Sequence, residues 1–323
     1  MAAAVPPSLV PSLVVDSRCE LGEGPIWHAG RGELLYLDIL AAKVYCFSPE
    51  KGSNIAEHDL SARTSIISTV VPVAGSNSEV LVGTKEGVAL FDLDTKAWQP
   101  HPSNVNGEFV RMNDGKCDPQ GRFWIGSIGR VGPDGADLAP HAAALYRLDS
   151  WGSGLVETLG GVTVSNGLAW SHDGRTMYYT DSLTFGVDAF DFHEASGEIT
   201  NRRRIIDVCT DFPPVPDGCA LDNEGKLWVA CFGVGQVRRY DPDNGALLAT
   251  VDLPHSTAGT ECTACAFGGK DLDELYITTA HEFWPPERQA AMPNAGGLFK
   301  VSREELAKLG ANITGMPTNW FKK

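Results

Sequence analysis

A phrase recurs along this chain, and recurrence at a fixed spacing constrains a fold more than any single motif. An apolar or aromatic residue sits inside a short apolar run in "LLYLD" (Tyr36), "EVLVG" (Leu81), "RFWIG" (Trp124), "MYYTD" (Tyr179), "KLWVA" (Trp228) and "ELYIT" (Tyr276), at steps of 45, 43, 55, 49 and 48 residues. A second column, a run ending in an apolar residue and a turn, falls at Phe47, Phe91, Leu148, Phe190, Tyr240 and Val301. Both columns count six units. The connectors "HAGRGE", "DPQGR", "SHDGR" and "DNEGK" carry the Gly and Asp chemistry of hairpins, so each unit reads as four short strands. Six such units of ~40–50 residues predict an all-β fold, a six-bladed β-propeller of four-stranded antiparallel sheets around a central channel. Two packed sandwiches would leave the regular spacing unexplained. The propeller is expected to form one domain over residues 1–323, with 1–15 as an N-terminal extension, partly ring-closing or flexible. Either "SLVVDSRCE" or the trailing "NITGMPTNWF" should join the last sheet and remove its exposed edge. "SREELAKLG" near the end reads as one short helix.

The innermost strand of each blade lines the channel, so equivalent positions form a ring. The opening residue of that strand is Glu23 in "GEGPIW", Asn113 in "RMNDGKC", Asn166 in "SNGLAW", Asp217 in "PDGCAL" and Thr263 in "CTACAF", with the second unit's slot near Ser68 or Thr69. Asn-Gly and Asp-Gly are ordinary turn dipeptides one at a time. Four oxygen donors at repeat-equivalent places, two of them carboxylates, instead predict a divalent cation site on the axis. The donor set suits hard cations, with Ca²⁺ first and Mg²⁺ or Mn²⁺ next. Zn²⁺ with water also fits, although the ring has no His or Cys. Arg111 lies two residues before Asn113, so strand alternation points both to one face. A guanidinium there suits the oxygens of a polyol. His281, in "TTAHEFWPPE", is a candidate pocket residue, whereas Trp124, Trp228, Tyr36 and Tyr276 belong to the repeat column and to the core.

Composition removes several partners. With 41 acidic and 26 basic residues the net charge is −15, which repels nucleic acid and anionic membrane and favours cations. There is no run of eighteen apolar residues, as a membrane-spanning helix would need. The first fifteen residues lack the basic start of a signal peptide. The 8 Cys are scattered without disulfide spacing, as in a reducing, cytoplasmic compartment. Cys262 and Cys265 form a CxxC without a second CxxC or a His pair, so they read as strand residues and not as a zinc site.

Five segments, "LGEGP" (21–25), "RMNDGKCDPQGR" (111–122), "SNGLAW" (165–170), "YYTDS" (178–182) and "PDGCALDNEGKLWVA" (216–230), occur in order and in successive blades. Together they make the chain resemble the senescence-marker-protein/gluconolactonase family of regucalcin-like lactonases over roughly residues 21–301. The resemblance implies hydrolysis of a sugar lactone, or a similar small lactone, with one divalent cation. It implies metal ligation by Glu23, Asn166 and Asp217, with Asn113 on or near the ion. It also implies an acid–base role for Asp217 and substrate contacts for Arg111 and Asn113. The chain departs from the family where some members carry a glutamate after the second strand of blade three, since Arg130 and Val131 occupy that neighbourhood here. Two other functions share the site: phosphotriester or phosphofluoridate hydrolysis, and calcium binding by a regulatory protein without catalysis. A strictosidine-synthase-like chemistry would not need the ligand ring.

Spacing also singles out two loops. Between the two repeat columns the distance is 10–12 residues in four blades, but 24 in blade three and 25 in blade six. The extra residues, near 127–142 and 280–297, should overhang the ligand face from opposite sides, with His281, Phe283 and Trp284 as contact candidates.

Overall fold

Each repeat folds as one small sheet. The computed structural model describes residues 5–85, 87–105, 110–131, 137–209, 214–254, 260–310 and 312–323. From the axis outward, blade one is Gly22–His28, Glu33–Asp38, Lys43–Ser48 and Ser53–Asp59. Blade two is Thr69–Pro72, Glu79–Gly83, Gly87–Asp92 and Trp98–Asn104. Blade three is Val110–Cys117, Phe123–Val131, Ala143–Leu148 and Leu155–Val162, and Asp137–Leu138 pairs back onto its second strand. Blade four is Ser165–Trp170, Thr176–Asp181, Gly186–His193 and Glu198–Asp207. Blade five is Val215–Leu221, Leu227–Phe232, Gln236–Tyr240 and Leu247–Asp252. Blade six draws Glu261–Gly268, Glu274–Ala280 and Leu298–Val301 from its own repeat. Its outer strand is the N-terminal Ser12–Val15, antiparallel to Leu298–Val301. The innermost strands touch in cyclic order, blade six against blade one included, so the ring is closed.

The leading segment is thus the one that joins the last sheet. It also does something the sequence reading missed: Ser8–Leu9 adds a fifth, parallel strand to blade five. The trailing segment has a different use. Gly315 bridges Asp222 of blade five, Asn319 Nδ2 donates to the Cys117 carbonyl of blade three, and Phe321 bridges Val73 of blade two. It therefore runs from blade five to the opposite blade two, on the side of the first hairpin turns. There, residues 316–319 cover one side of a cavity of about 280 Å³ at the far mouth of the channel.

The repeat columns are the core. Tyr36, Trp124, Tyr179, Trp228 and Tyr276 are fully buried between neighbouring sheets, and so are Phe47, Phe91, Leu148 and Val301 of the second column. Large rings at one position per blade fill the wedge that opens as the sheets fan out from the axis. Two blades add a polar tie. In "DPQGRFW" and "DNEGKLW" the turn opens on a fully buried aspartate. Asp222 accepts from the backbone N–H groups of Glu224 and Lys226, from Trp228 Nε1 at 2.9 Å and from Arg239 Nε at 2.8 Å. Asp118 does the same with Gln120, Arg122 and Trp124. Gly121 and Gly225 close these turns at φ 81° and 74°, which only glycine adopts freely.

The expected terminal helix is present at Arg303–Leu306, with Ser302 as its N-cap. A second short helix, Pro286–Ala291, lies in the blade-six insertion. Among the described residues no helix is long and apolar enough to cross a membrane. None of the eight cysteines is in a disulfide, and Cys262 and Cys265 are buried in the innermost strand of blade six.

Asp222→Ala removes a buried anion and leaves Arg239 and Trp228 Nε1 short of an acceptor. Breaking such a buried pair costs about 3–5 kcal/mol. Urea denaturation should show a loss of that size, whereas loss of less than about 1 kcal/mol would deny the tie its role.

Candidate metal centre and substrate pocket

In five of the six repeats the polar residue sits not in a turn but in a β-bulge. Between Glu23 and Ile26, Met112 and Gly115, Ser165 and Leu168, Pro216 and Cys219, and Cys262 and Ala264, the innermost strand gains one residue over its partner. Blade two has a regular pairing instead. A bulge re-aims the side chain it carries, and five bulges at the same height direct five polar side chains toward one axis. The glycines of "NG" and "DG" serve this crowding. A Cβ on Gly167 would stand 2.7 Å from the Asp217 carbonyl, and one on Gly218 would stand 2.6 Å from the Ala264 Cβ.

The six slots divide into two kinds. Thr69 Oγ1 donates to the Gly115 carbonyl at 3.0 Å and Thr263 Oγ1 to the Gly22 carbonyl at 2.6 Å. Each threonine ties its inner strand to the next blade. The other four, Glu23, Asn113, Asn166 and Asp217, line a cavity of about 170 Å³ together with Arg111, Arg130 and Glu282. Its remaining wall is apolar, formed among others by Leu21, Ile39, Ile128, Leu138, Val164 and Phe232. The volume is below the roughly 300–1,000 Å³ of drug-sized sites and suits one small ring.

Hydrogen bonds fix the amides. Asn166 Nδ2 donates to Ser182 Oγ at 2.8 Å, which turns its Oδ1 toward the axis. Asn113 Nδ2 donates to that Oδ1 and to the Ser165 carbonyl, both at 2.8 Å. Arg111 Nη1 donates to Asn113 Oδ1 at 2.9 Å and to the Met112 carbonyl at 3.0 Å. Asn113 is therefore occupied on both ends, orienting Asn166 and held by Arg111.

The carboxylates are not so well provided. Asp217 Oδ1 is buried with no hydrogen-bond partner among the described residues. Among the described residues Glu23 accepts only the neighbouring Gly24 N–H, at 2.9 Å. Burial first, and then Asp114, pushes Glu23 up to about 8. Burial, followed by Glu23, Asp114 and Glu282, holds Asp217 well above the usual carboxylate range. Asp114 is itself raised by burial, with Lys116 opposing the shift. Two buried carboxyl groups that repel one another, beside an amide oxygen aimed at the same point, fit a divalent cation held by Glu23, Asn166 and Asp217. Among the described residues no three His, Cys, Asp or Glu side chains form a metal cluster by themselves.

The long loops both reach the pocket, but through other residues than expected. From blade three come Arg130 and Leu138, paired across the extension of its second strand. From blade six comes Glu282. His281, the candidate pocket residue, is not brought to the group: its Nε2 lies 3.4 Å from the Arg18 carbonyl and its ring faces a separate surface hollow. Phe283 is 75 % exposed, and Trp284 is buried against Met292 and Ala295, with Nε1 donating to Glu261. Glu282 lies in a turn just past the strand Glu274–Ala280, so strand alternation does not place it and no periodic signal in the sequence singled it out.

The sequence profile of the family described as "SMP-30/Gluconolactonase/LRE-like region" matches residues 21–281. A regucalcin from Danio rerio is 38% identical over 306 residues, covering 94% of this chain and 95% of that protein. Among solved structures, a regucalcin from Agrobacterium tumefaciens described as a calcium-binding protein superposes with a TM-score of 0.84 at 24% identity, covering 99% of this chain and 100% of that one. A luciferin-regenerating enzyme superposes with a TM-score of 0.83 at 26% identity, covering 97% and 100%.

A carboxyl group raised by folding contributes stability that is present at low pH and lost as pH rises. For Glu23 the loss should run from about 4.5 to about 8. With chelator present, the melting temperature should fall across that window, and Glu23→Gln should raise it by a few degrees at the alkaline end. Added Ca²⁺ should stabilise the unmodified protein more than the variant. A variant that melts lower than the unmodified protein in chelator would contradict the crowded-carboxylate account.

Proposed function

Since the chain belongs to the SMP-30/gluconolactonase/LRE-like family, we propose that it is a metal-dependent lactonase that opens a sugar lactone or a similar small lactone. The family membership supports a lactone hydrolase or a regucalcin-like role. The observation that carries the finer reading is the pairing of Asp217 Oδ1, an orphaned buried oxygen, with a pocket sized for one ring. Glu23, Asn166 and Asp217 would hold the cation, and an all-oxygen set suits Ca²⁺ best, with Zn²⁺, Mn²⁺ or Mg²⁺ as substitutes. When bound, such an ion polarises the ester carbonyl and makes water more acidic.

The chain's own groups supply the rest. Arg111 offers donors to the ring's oxygens from a guanidinium already fixed against Asn113. Asp217 accepts a proton from the attacking water as the new C–O bond forms at the carbonyl carbon. It returns that proton to the ring oxygen as the ester C–O bond breaks, and the product is a hydroxy acid. The apolar wall keeps bulk water from the carboxyl groups and strengthens their electrostatics. The same site would polarise a P=O bond, so a phosphotriester belongs in the substrate panel. A purely calcium-binding role, suggested by the regucalcin structure described as calcium-binding, would use the carboxylates but leave the apolar-walled pocket beside them without a guest.

Two outcomes are expected. Treatment with chelator should abolish hydrolysis of a lactone panel, and Ca²⁺ or another divalent ion should restore it. Full turnover by metal-free protein would overturn the reading, and metal binding without turnover of any lactone or phosphotriester would favour the regulatory one. Asp217→Asn keeps an oxygen donor but loses the base, so kcat should fall by at least ~10² with the fold intact. Near-normal kcat in that variant with metal bound would remove Asp217 from proton transfer.

A further inference from the structure

The blade-six insertion enters the pocket through one side chain. Glu282 lines the cavity, and its Oε2 is buried with no hydrogen-bond partner among the described residues. A buried acceptor without a donor is unfavourable unless a guest supplies one. Among the described residues Glu282 completes no metal cluster with Glu23 and Asp217, so the cation of the ring does not account for it. A carboxyl group keeps an acceptor oxygen in either protonation state. The need for a donor therefore does not depend on the balance of burial, Arg111, Arg130 and Glu20 that sets the ionisation of Glu282.

The turn that carries Glu282 is held firmly. His281 N donates to the Glu20 carbonyl at 3.0 Å, and Trp284 N donates to the His281 carbonyl at 3.2 Å, which closes a tight turn over 281–284. Phe283, its third residue, stands at φ 59° with its side chain in solvent, a conformation that turns ordinarily give to Gly or Asn. Such strain persists only where the surroundings impose it. Trp284 imposes it. Its Nε1 donates to Glu261, its ring centroid lies 3.8 Å from the Arg288 guanidinium carbon, and its carbonyl accepts from Gln289 Nε2 at 3.0 Å. Glu261 opens the innermost strand of blade six, so this anchor ties the turn to the frame that bears the polar ring.

We propose that Glu282 is a specificity-determining residue of this pocket, accepting a hydrogen bond from a hydroxyl of the lactone, and that Trp284 and Glu261 are positioning residues that hold it there. This rests on the lactonase reading. A lactone with free hydroxyls supplies the donor that Glu282 lacks, whereas a bare ring leaves it unpaired. A site built to bond a hydroxyl rejects the analogue without one, because its own polar group then stays unsatisfied.

The test compares kcat/KM for D-galactono-1,4-lactone, which carries free hydroxyls, with γ-butyrolactone, the same ring without them. The ratio should favour the hydroxylated lactone and fall about tenfold in Glu282→Ala, the worth of one strong hydrogen bond. The fall should come from the hydroxylated lactone alone, and Glu282→Gln should keep part of the preference. Glu282→Ser, too short to reach, decides in place of the alanine variant if melting curves show that one unfolded. Trp284→Phe removes the donor to Glu261 and keeps the ring. It should lower the ratio about threefold, through KM for the hydroxylated lactone with kcat little changed. Glu261→Gln, which keeps an acceptor, should preserve the ratio. A ratio near one in the unmodified protein, one unchanged in Glu282→Ala, or an equal loss on both lactones would overturn the role of Glu282. A ratio unchanged in Trp284→Phe would overturn the positioning role. Should neither lactone be hydrolysed, the lactonase reading falls, and calorimetric titration of both into Ca²⁺-loaded protein decides this inference separately. Tighter binding of the hydroxylated lactone, lost in Glu282→Ala, upholds it, whereas equal or undetectable binding overturns it.

Discussion

Everything in this molecule depends on how closely six innermost strands approach at the axis. At that crowding an ordinary side chain has nowhere to go. A Cβ on Gly167 or Gly218 would collide with the next strand, so the chain spends glycine there, and five of the six inner strands gain one residue as a bulge. The extra residue turns a polar side chain inward. Closure of the ring and convergence of the polar side chains are thus the same event. In two blades the slot instead carries a threonine that ties one inner strand to the next blade.

Crowding has an electrostatic counterpart. Buried carboxyl groups without protein partners destabilise a fold unless something offsets them. Here Arg111 opposes the charges of Glu23 and Asp217 through space, while its hydrogen bonds go to Asn113 and the Met112 carbonyl. The arrangement keeps the pocket in a high-energy state of charge, and that state is what a cation and a polar ring would relieve. Stability and binding draw on the same residues, so substitutions in the ring should move both.

How much of this was legible in the sequence follows from which forces leave a periodic trace. The wedge between sheets demands one large ring per blade, and that demand writes Tyr36, Trp124, Tyr179, Trp228 and Tyr276 at near-equal steps. The opening residues of the inner strands share the period, so Glu23, Asn113, Asn166 and Asp217 were also visible. The bulges were not, because Asn-Gly and Asp-Gly have the same composition in a turn and in a crowded strand. Nor was the division of labour among the amides, which is set by Ser182 and Arg111 from other positions. The insertions break the period altogether. In the blade-six insertion Phe283 adopts a left-handed φ of 59°, and Trp284 is captured by Met292 and Ala295. Residue type favoured His281, and Glu282 sits in a turn beyond the strand, where no alternation marks it.

The C-terminal strap that joins blade five to blade two lies over one mouth of the channel, against the turns. It narrows the bore at the end away from the polar ring, and so favours the opposite face as the entrance. The last residues of the chain thus bear on which way a guest arrives, although none of them lines the pocket itself.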